Sequence, residues 1–241
     1  MAIFDFNKFD NMVHDKLVSI LVLLLVDGQI DIYKNTLDPF SAVIDCMIRD
    51  TTPLQFKKQE EARASQKTLQ NKVGYFHEDT ILCFHGWSKP KLVDVTNIND
   101  KIIAEIKNKH NTTKGNHLKN IYDDLEYKLN TKYNGFTAYY VQILPKKRKV
   151  KTHNKPFTPP DNVTHSNRPK NPQIRVIDGA SFYEIVSGNP DFFEKLCREY
   201  LPNALEKSIK KINLTRNSKL GYPVGLKNDL VIKEFFDQAF K

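Results

Sequence analysis

Two apolar runs, "KLVDVT" (residues 91–96) and "KIIAEIK" (residues 101–107), stand on either side of "NIND", and both are rich in Val and Ile. Such runs, joined by a short Asn/Asp-containing linker, read as a β-hairpin with its turn at Asn97 to Asp100. No other feature constrains the chain as strongly. A strand alternates its side chains between two faces, so the pairing fixes which residues can meet. On the second strand Ala104, Ile106 and Asn108 take one face, while Glu105 and Lys107 share the other. With the turn at 97–100, Thr96 faces Lys101, Val95 faces Ile102 and Asp94 faces Ile103, which makes Glu105 the diagonal neighbour of Asp94. Two carboxylates and a lysine therefore converge on one patch of an otherwise apolar hairpin.

The surrounding pattern is α/β. Residues 5–26 read as a helix, and Asp38 followed by Pro39 announces a second one in "DPFSAVIDCMI". "PLQFKKQEEARASQKTLQNKV" (53–73) reads as a third, and "DTILCFHGW" (79–87) as a strand before the hairpin. After it, Leu118, Ile121, Leu125 and Leu129 recur at helical spacing, and "GFTAYYVQIL" (135–144) returns as an apolar strand. "QIRVIDG" (173–179) reads as a strand, "ASFYEIVSG" as a helix ended by Gly188, and "PDFFEKLCREYLPNALEKSIKKI" as one or two amphipathic helices, with a helical tail from Asn228. A strand as short as "QIRVIDG" needs a sheet to join, so residues 1–241 are expected to form a single α/β domain with a mixed central sheet, flanking helices and a helical N-terminal part.

Charge is distributed unevenly. The chain carries a formal +9, and residues 145–172 hold eight Lys or Arg against one acid, Asp161. A block of this kind attracts a polyanion with an affinity that falls as salt rises, which makes nucleic acid the first candidate partner. Its first part, "PKKRKVK", also has the form of a nuclear import signal. The three cysteines are far apart and form no CxxC pair, which argues against a disulfide framework or a zinc ribbon and for a reducing interior. His77, Cys83 and His85 lack the fourth ligand and the pairing of a structural zinc site, so they read as ordinary core and loop residues. The start shows no secretory signal, so the N-x-Ser/Thr patterns at Asn111, Asn162 and Asn213 are not expected to be glycosylated. "VSILVLLLV" (18–26) is about half the ~20 residues that span a bilayer and reads as a core helix.

The carboxylates and lysine, with the spacing D-x(10)-E-x-K on a hairpin followed by a helix and a strand, resemble the PD-(D/E)XK nucleases over residues 38–144. The resemblance implies that Asp94 and Glu105 bind Mg²⁺ and that Lys107 assists the attacking water. The residue before Asp94 is Val93 rather than Pro, which keeps Asp79 and Asp100 as alternatives for the first ligand. Asp45 is a further candidate carboxylate, although on "SAVIDCMI" it also reads as a polar residue at the edge of an amphipathic helix. A finer likeness covers "AEIKNKHNTTKGN" followed by "YDDL", and later "IRVIDGASFYEIVSGNPD": these are similar to type II restriction endonucleases of the group that cuts the palindrome GGNCC. That resemblance implies a homodimer cutting both strands of double-stranded DNA, a companion DNA methyltransferase and a bacterial cytoplasmic setting.

In such an enzyme Lys146, Lys147, Arg148, Lys149, Lys151 and Arg168 are expected to contact DNA phosphates. Lys109, Asn111, Lys114 and Asn116 lead from the carboxylate strand into a helix start, where free backbone N–H groups receive phosphate, although helix capping accounts for part of the same pattern. Two other readings stand beside this one. A junction or repair nuclease would share the core, and a non-catalytic DNA-binding module would use Glu105 and Lys107 as a plain ion pair.

Overall fold

In the computed structural model of the chain, residues 3–22, 32, 38–110, 116–145, 154–216 and 230–240 are described. The hairpin is the start of a six-stranded sheet. Helix α1 (Phe6–Met12) begins at Asp5, whose carboxylate accepts from the Lys8 N–H, and runs through a π-helical stretch (Val13–Val18) into α2 (Ser19–Leu21). Helix α3 (Pro39–Arg49) has the expected Asp38 cap and Pro39 start. Helix α4 (Pro53–Ile81) opens on a capping box: Thr52 Oγ1 accepts from the Gln55 N–H and Gln55 Oε1 accepts from the Thr52 N–H.

Strands β1 (Trp87–Ser88), β2 (Val95–Asn97) and β3 (Ile102–Lys109) are antiparallel neighbours; α5 (Asn116–Asn130) then crosses over to β4 (Thr137–Leu144), which lies parallel to β3. A long connection through a helix is what parallel pairing requires. Beyond it come β5 (Lys155–Pro156), a small hairpin of β6 (Pro160–Asp161) and β7 (Ser166–Asn167), and β8 (Ile174–Asp178), giving the sheet order β1-β2-β3-β4-β8-β5. The expected strand in "QIRVIDG" thus joins the same sheet as the hairpin. Among its described residues the basic segment, expected as a DNA-contacting loop over 145–172, contains the three short strands β5, β6 and β7.

Each face of the sheet has its own core. Helix α5 sends Tyr122, Leu125 and Leu129 onto Ile103, Ala138, Tyr140, Ile174 and Val176. The opposite face, with Ala104, Ile106, Tyr139, Val141, Ile143 and Ile177, lies under the N-terminal helices, the end of α4, and helices α6 (Gly179–Ser187), α7 (Phe192–Lys195), α8 (Leu201–Arg216) and α9 (Leu230–Phe240). A π-helical stretch, Leu196–Tyr200, links α7 to α8. Alternation of Tyr139 and Tyr140 between the two cores follows directly from the period of a strand. Asp178 caps α6 through the Ser181 N–H, and Gly188 closes it at φ 66°. Gly179 has no room for a side chain: a Cβ there would lie 2.8 Å from the Ile143 carbonyl oxygen.

Two expectations are corrected. "DTILCFHGW" is not a strand, because α4 continues through Ile81; beyond it Phe84 makes an isolated antiparallel bridge to Phe4, and Trp87–Ser88 forms the short β1. Phe76 and Ile81 are buried, and the Thr80 hydroxyl donates to the Phe76 carbonyl, so burial on one helical face overrides the β-preference of a short apolar run. The hairpin register is shifted by two residues: Val95 faces Ala104, Thr96 faces Ile103 and Asn97 faces Ile102. Lys101 takes φ 53° and belongs to the turn, while the Asn97 side chain bonds Asp100 through both its backbone N–H and its carboxylate. A slip of two preserves every face assignment. The first helix holds over residues 6–22; residues 23–26 of that reading lie outside the described residues.

Candidate active site

The corrected register draws the charged groups closer than the diagonal arrangement expected. Extended by one pair, it sets Asp94 directly across from Glu105. Lys107 Nζ donates to Glu105 Oε1 at 2.6 Å and lies 3.9 Å from Asp94 Oδ2. Asp94 Oδ2 accepts the Ile106 N–H at 2.7 Å, so a backbone bond from the buried side of β3 fixes the carboxylate in place. The trio sits at the carboxyl half of β3, half-buried, with Ile103 beneath it in the α5 core and Ala104 and Ile106 locked into the opposite core. Rigid apolar anchoring on one face is what lets the other face hold like charges close together.

These surroundings shift both ionisations. Burial pushes the Asp94 carboxyl above the ordinary aspartate range; the Ile106 N–H opposes that, the charge of Glu78 adds to it, and Lys107 opposes it. For Lys107, burial alone would favour the neutral amine, yet the hydrogen bond to Glu105 and the charges of Glu105, Asp94 and Glu78 prevail and raise its pKa. Lys107 is therefore a firmly protonated cation here. Its first role is to hold two carboxylates together and to present positive charge.

Glu78 was not among the sequence candidates. It lies in the last turns of α4, is buried, and accepts from Lys89 Nζ at 2.6 Å. The signal for it was the helical continuation past residue 73: Phe76, His77, Thr80 and Ile81 are all buried around it, and reading a strand over 79–87 hid that face. His77, beside it, is fully buried near the Tyr183 hydroxyl, and burial takes its pKa down to about 4; it is a neutral core residue. Cys83 is a buried thiol pushed up to about 11 by burial.

The alternatives to Asp94 lie elsewhere. Asp79 pairs with Lys16 at 2.6 Å, Asp100 is held by Asn97 in the turn, and Asp45 on α3 pairs with Arg49 at 2.8 Å. Among the described residues, no three His, Cys, Asp or Glu side chains gather as a metal cluster. Mg²⁺, however, is commonly held by one or two carboxylates and keeps several waters, so the Asp94 and Glu105 pair suits it.

The expected DNA contacts divide into three groups. Lys109 ends β3, half-buried and paired with Leu144 at the end of β4. Asn111, Lys114, Lys146, Lys147, Arg148, Lys149 and Lys151 lie outside the described residues, as does the side chain of Asn116, the first residue of α5. Lys109 and Leu144 pair at the end of the parallel strands that carries Lys107. Arg168 does not face that end freely. Its guanidinium lies 2.8 Å from Asp123 and 3.5 Å from Glu126, over the Tyr122 ring, and fastens the β6–β7 hairpin to α5.

Residues 3–210 match the family model described as Eco47II restriction endonuclease. The chain is 39% identical over 213 residues to the type II restriction enzyme Eco47II of Escherichia coli, covering 86% of this chain and 85% of that one. It is 31% identical over 211 residues to the type II restriction enzyme Sau96I of Staphylococcus aureus, covering 86% of this chain and 77% of the relative. No solved structure matches it.

Proposed function

The chain belongs to the Eco47II restriction endonuclease family and is a type II site-specific deoxyribonuclease; from that premise we propose that Asp94, Glu105 and Lys107 form its catalytic centre, with Asp94 and Glu105 as the ligands of a Mg²⁺ ion. The observation that carries this reading is the convergence of the three groups, Lys107 lying 2.6 Å from one carboxylate and 3.9 Å from the other on an otherwise buried hairpin.

Bound there, a divalent cation supplies a Lewis acid that lowers the pKa of a coordinated water and neutralises charge on the phosphate oxygens. The chain's own residues do the rest. Asp94, held by the Ile106 N–H, keeps one oxygen committed to the backbone and the other available as a ligand. Lys107, held protonated by Glu105 first, then by the charges of Asp94 and Glu78, would orient the attacking water and stabilise charge on the phosphate.

The DNA is positioned by the basic and polar residues that follow the two strands in sequence: Lys109, Asn111, Lys114 and Asn116 after β3, and Lys146, Lys147, Arg148, Lys149 and Lys151 after β4. Arg168 contributes by holding the β6–β7 hairpin on α5. The target is the palindrome GGNCC, the enzyme acts as a homodimer because a two-fold protein matches a two-fold site, and a companion methyltransferase protects the host DNA in the bacterial cytoplasm. Among the described residues no helix is long and apolar enough to cross a membrane.

The test is incubation of purified protein with unmethylated phage DNA, with Mg²⁺ or with EDTA, and sequencing of the fragment ends. Discrete ends sharing GGNCC, absent with EDTA, are expected. Ends at another palindrome would discard the target and keep the centre, and metal-independent cutting would overturn the Mg²⁺ assignment.

A further inference from the structure

Helix α3 is packed the wrong way round for a surface helix. Its large apolar residues Phe40, Val43, Ile44, Met47 and Ile48 fall at i, i+3, i+4, i+7 and i+8, the spacing of one stripe, and all five are exposed. Phe40 retains 78% of its surface, and Met47 and Ile48 each retain 79%. The half-buried side of the helix carries Ala42, Asp45 and Cys46 instead, with Asp45 tied to Arg49. A stripe of this kind ordinarily faces a core. Here it faces outward from an arm formed with the first turns of α4, where Leu54 is also exposed.

We propose that this stripe is the contact through which two copies of the chain associate, a proposal that rests on the homodimer reading above and gives it a location. Three observations select a second copy. The five side chains and Leu54 offer on the order of 600 Å² of apolar surface, at the upper end of what a monomer leaves open and approaching the ~800 Å² that each partner of a standard interface contributes. The stripe is uncharged and symmetric enough to meet itself across a two-fold axis, where every contact occurs twice. The flanking charges complement each other between copies: residues 38–50 hold three aspartates against Arg49, whereas residues 53–72 hold five Lys or Arg against two glutamates. Pairing α3 of one copy with the arm of the other sets those opposite charges side by side.

The experiment is sedimentation equilibrium of the wild type and of the variant carrying Met47→Glu and Ile48→Glu, with thermal unfolding and plasmid cleavage measured on both. Because both side chains are exposed within one copy, the variant is expected to keep the wild-type melting temperature at low protein concentration. The wild type is expected at twice the 28.0 kDa chain mass and the variant at the single mass. On supercoiled plasmid with Mg²⁺, the variant is expected to accumulate nicked circles where the wild type gives linear fragments. A variant that stays dimeric would overturn the α3 assignment and leave the homodimer reading intact. A monomeric wild type that cuts both strands would overturn both. A monomeric wild type with a variant that melts early would identify the chain itself as what covers the stripe.

Discussion

The exposed stripe of α3 and the charged patch of β3 break the same packing rule in opposite directions. On β3, Glu105 and Lys107 occupy a strand whose apolar residues sink into two cores; on α3, five large apolar residues occupy a surface. Neither arrangement improves the stability of an isolated chain. Like carboxylates held together on a half-buried hairpin repel, and apolar side chains left in water gain nothing from burial. Departures of this kind from local consistency are expected where a protein meets a ligand or a partner. The two differ in how they are supported: the β3 patch is backed by rigid anchors on the far side of its own strand, whereas the α3 stripe is backed by small and polar residues that hold the helix without a deep core.

The contrast can be broken most forcefully at Glu105. Glu105→Ala is expected to lower cleavage by roughly 10³-fold, by loss of a ligand at the centre, with DNA binding in a filter assay and the melting temperature close to wild type. Near-normal cutting would remove Glu105 from the centre. One residue along and on the opposite face, Ile106→Ala is expected to act through the fold: about 3 kcal/mol of stability is lost by emptying a fully packed site, read as an earlier denaturation midpoint. Equal effects of the two changes on stability would mean that β3 does not divide its labour between faces.

Glu78→Gln sharpens the electrostatic half of the comparison. Asp94 has a raised pKa, so on acidification it takes up a proton earlier than an ordinary aspartate, and cleavage falls on that limb. Glu78 contributes to that rise, so neutralising it is expected to move the acid limb of the pH–rate profile to lower pH; an unmoved limb would separate Glu78 from the centre. The smallest effect belongs to the stripe. Ile44→Gln is expected to change the unfolding free energy of dilute protein by no more than about 0.5 kcal/mol, the scale of an ordinary surface substitution, and a larger loss would place Ile44 in a core after all.

The convergence of Asp94, Glu105 and Lys107 was legible in the sequence because strand periodicity is robust: a register error of two residues leaves all three on one face. Most elements after residue 100 were legible for the same reason, with Asp178 and Gly188 bounding α6 as capping chemistry dictates. Glu78 was not legible. "DTILCF" looks equally at home in a strand, and only the packing of Phe76 and Ile81 decides for a helix that carries Glu78 toward Asp94. The partners of Arg168 were hidden for a related reason: composition reveals a cation, but the two carboxylates of Asp123 and Glu126 that engage it come from α5, more than forty residues earlier. The α3 stripe is visible as the spacing of an amphipathic helix, and that spacing is the same whether an interior or a partner covers it.

Helix α4 has a consequence of its own. Its 29 residues extend over about 43 Å, with the α3 stripe at one end and Glu78, beside Asp94, at the other. In the proposed dimer, with its seam at α3 and its centre at Asp94, that rod would act as a ruler: its length would set how far apart two blades stand, and so where along a DNA duplex, whose base pairs rise about 3.4 Å each, the two strands are reached.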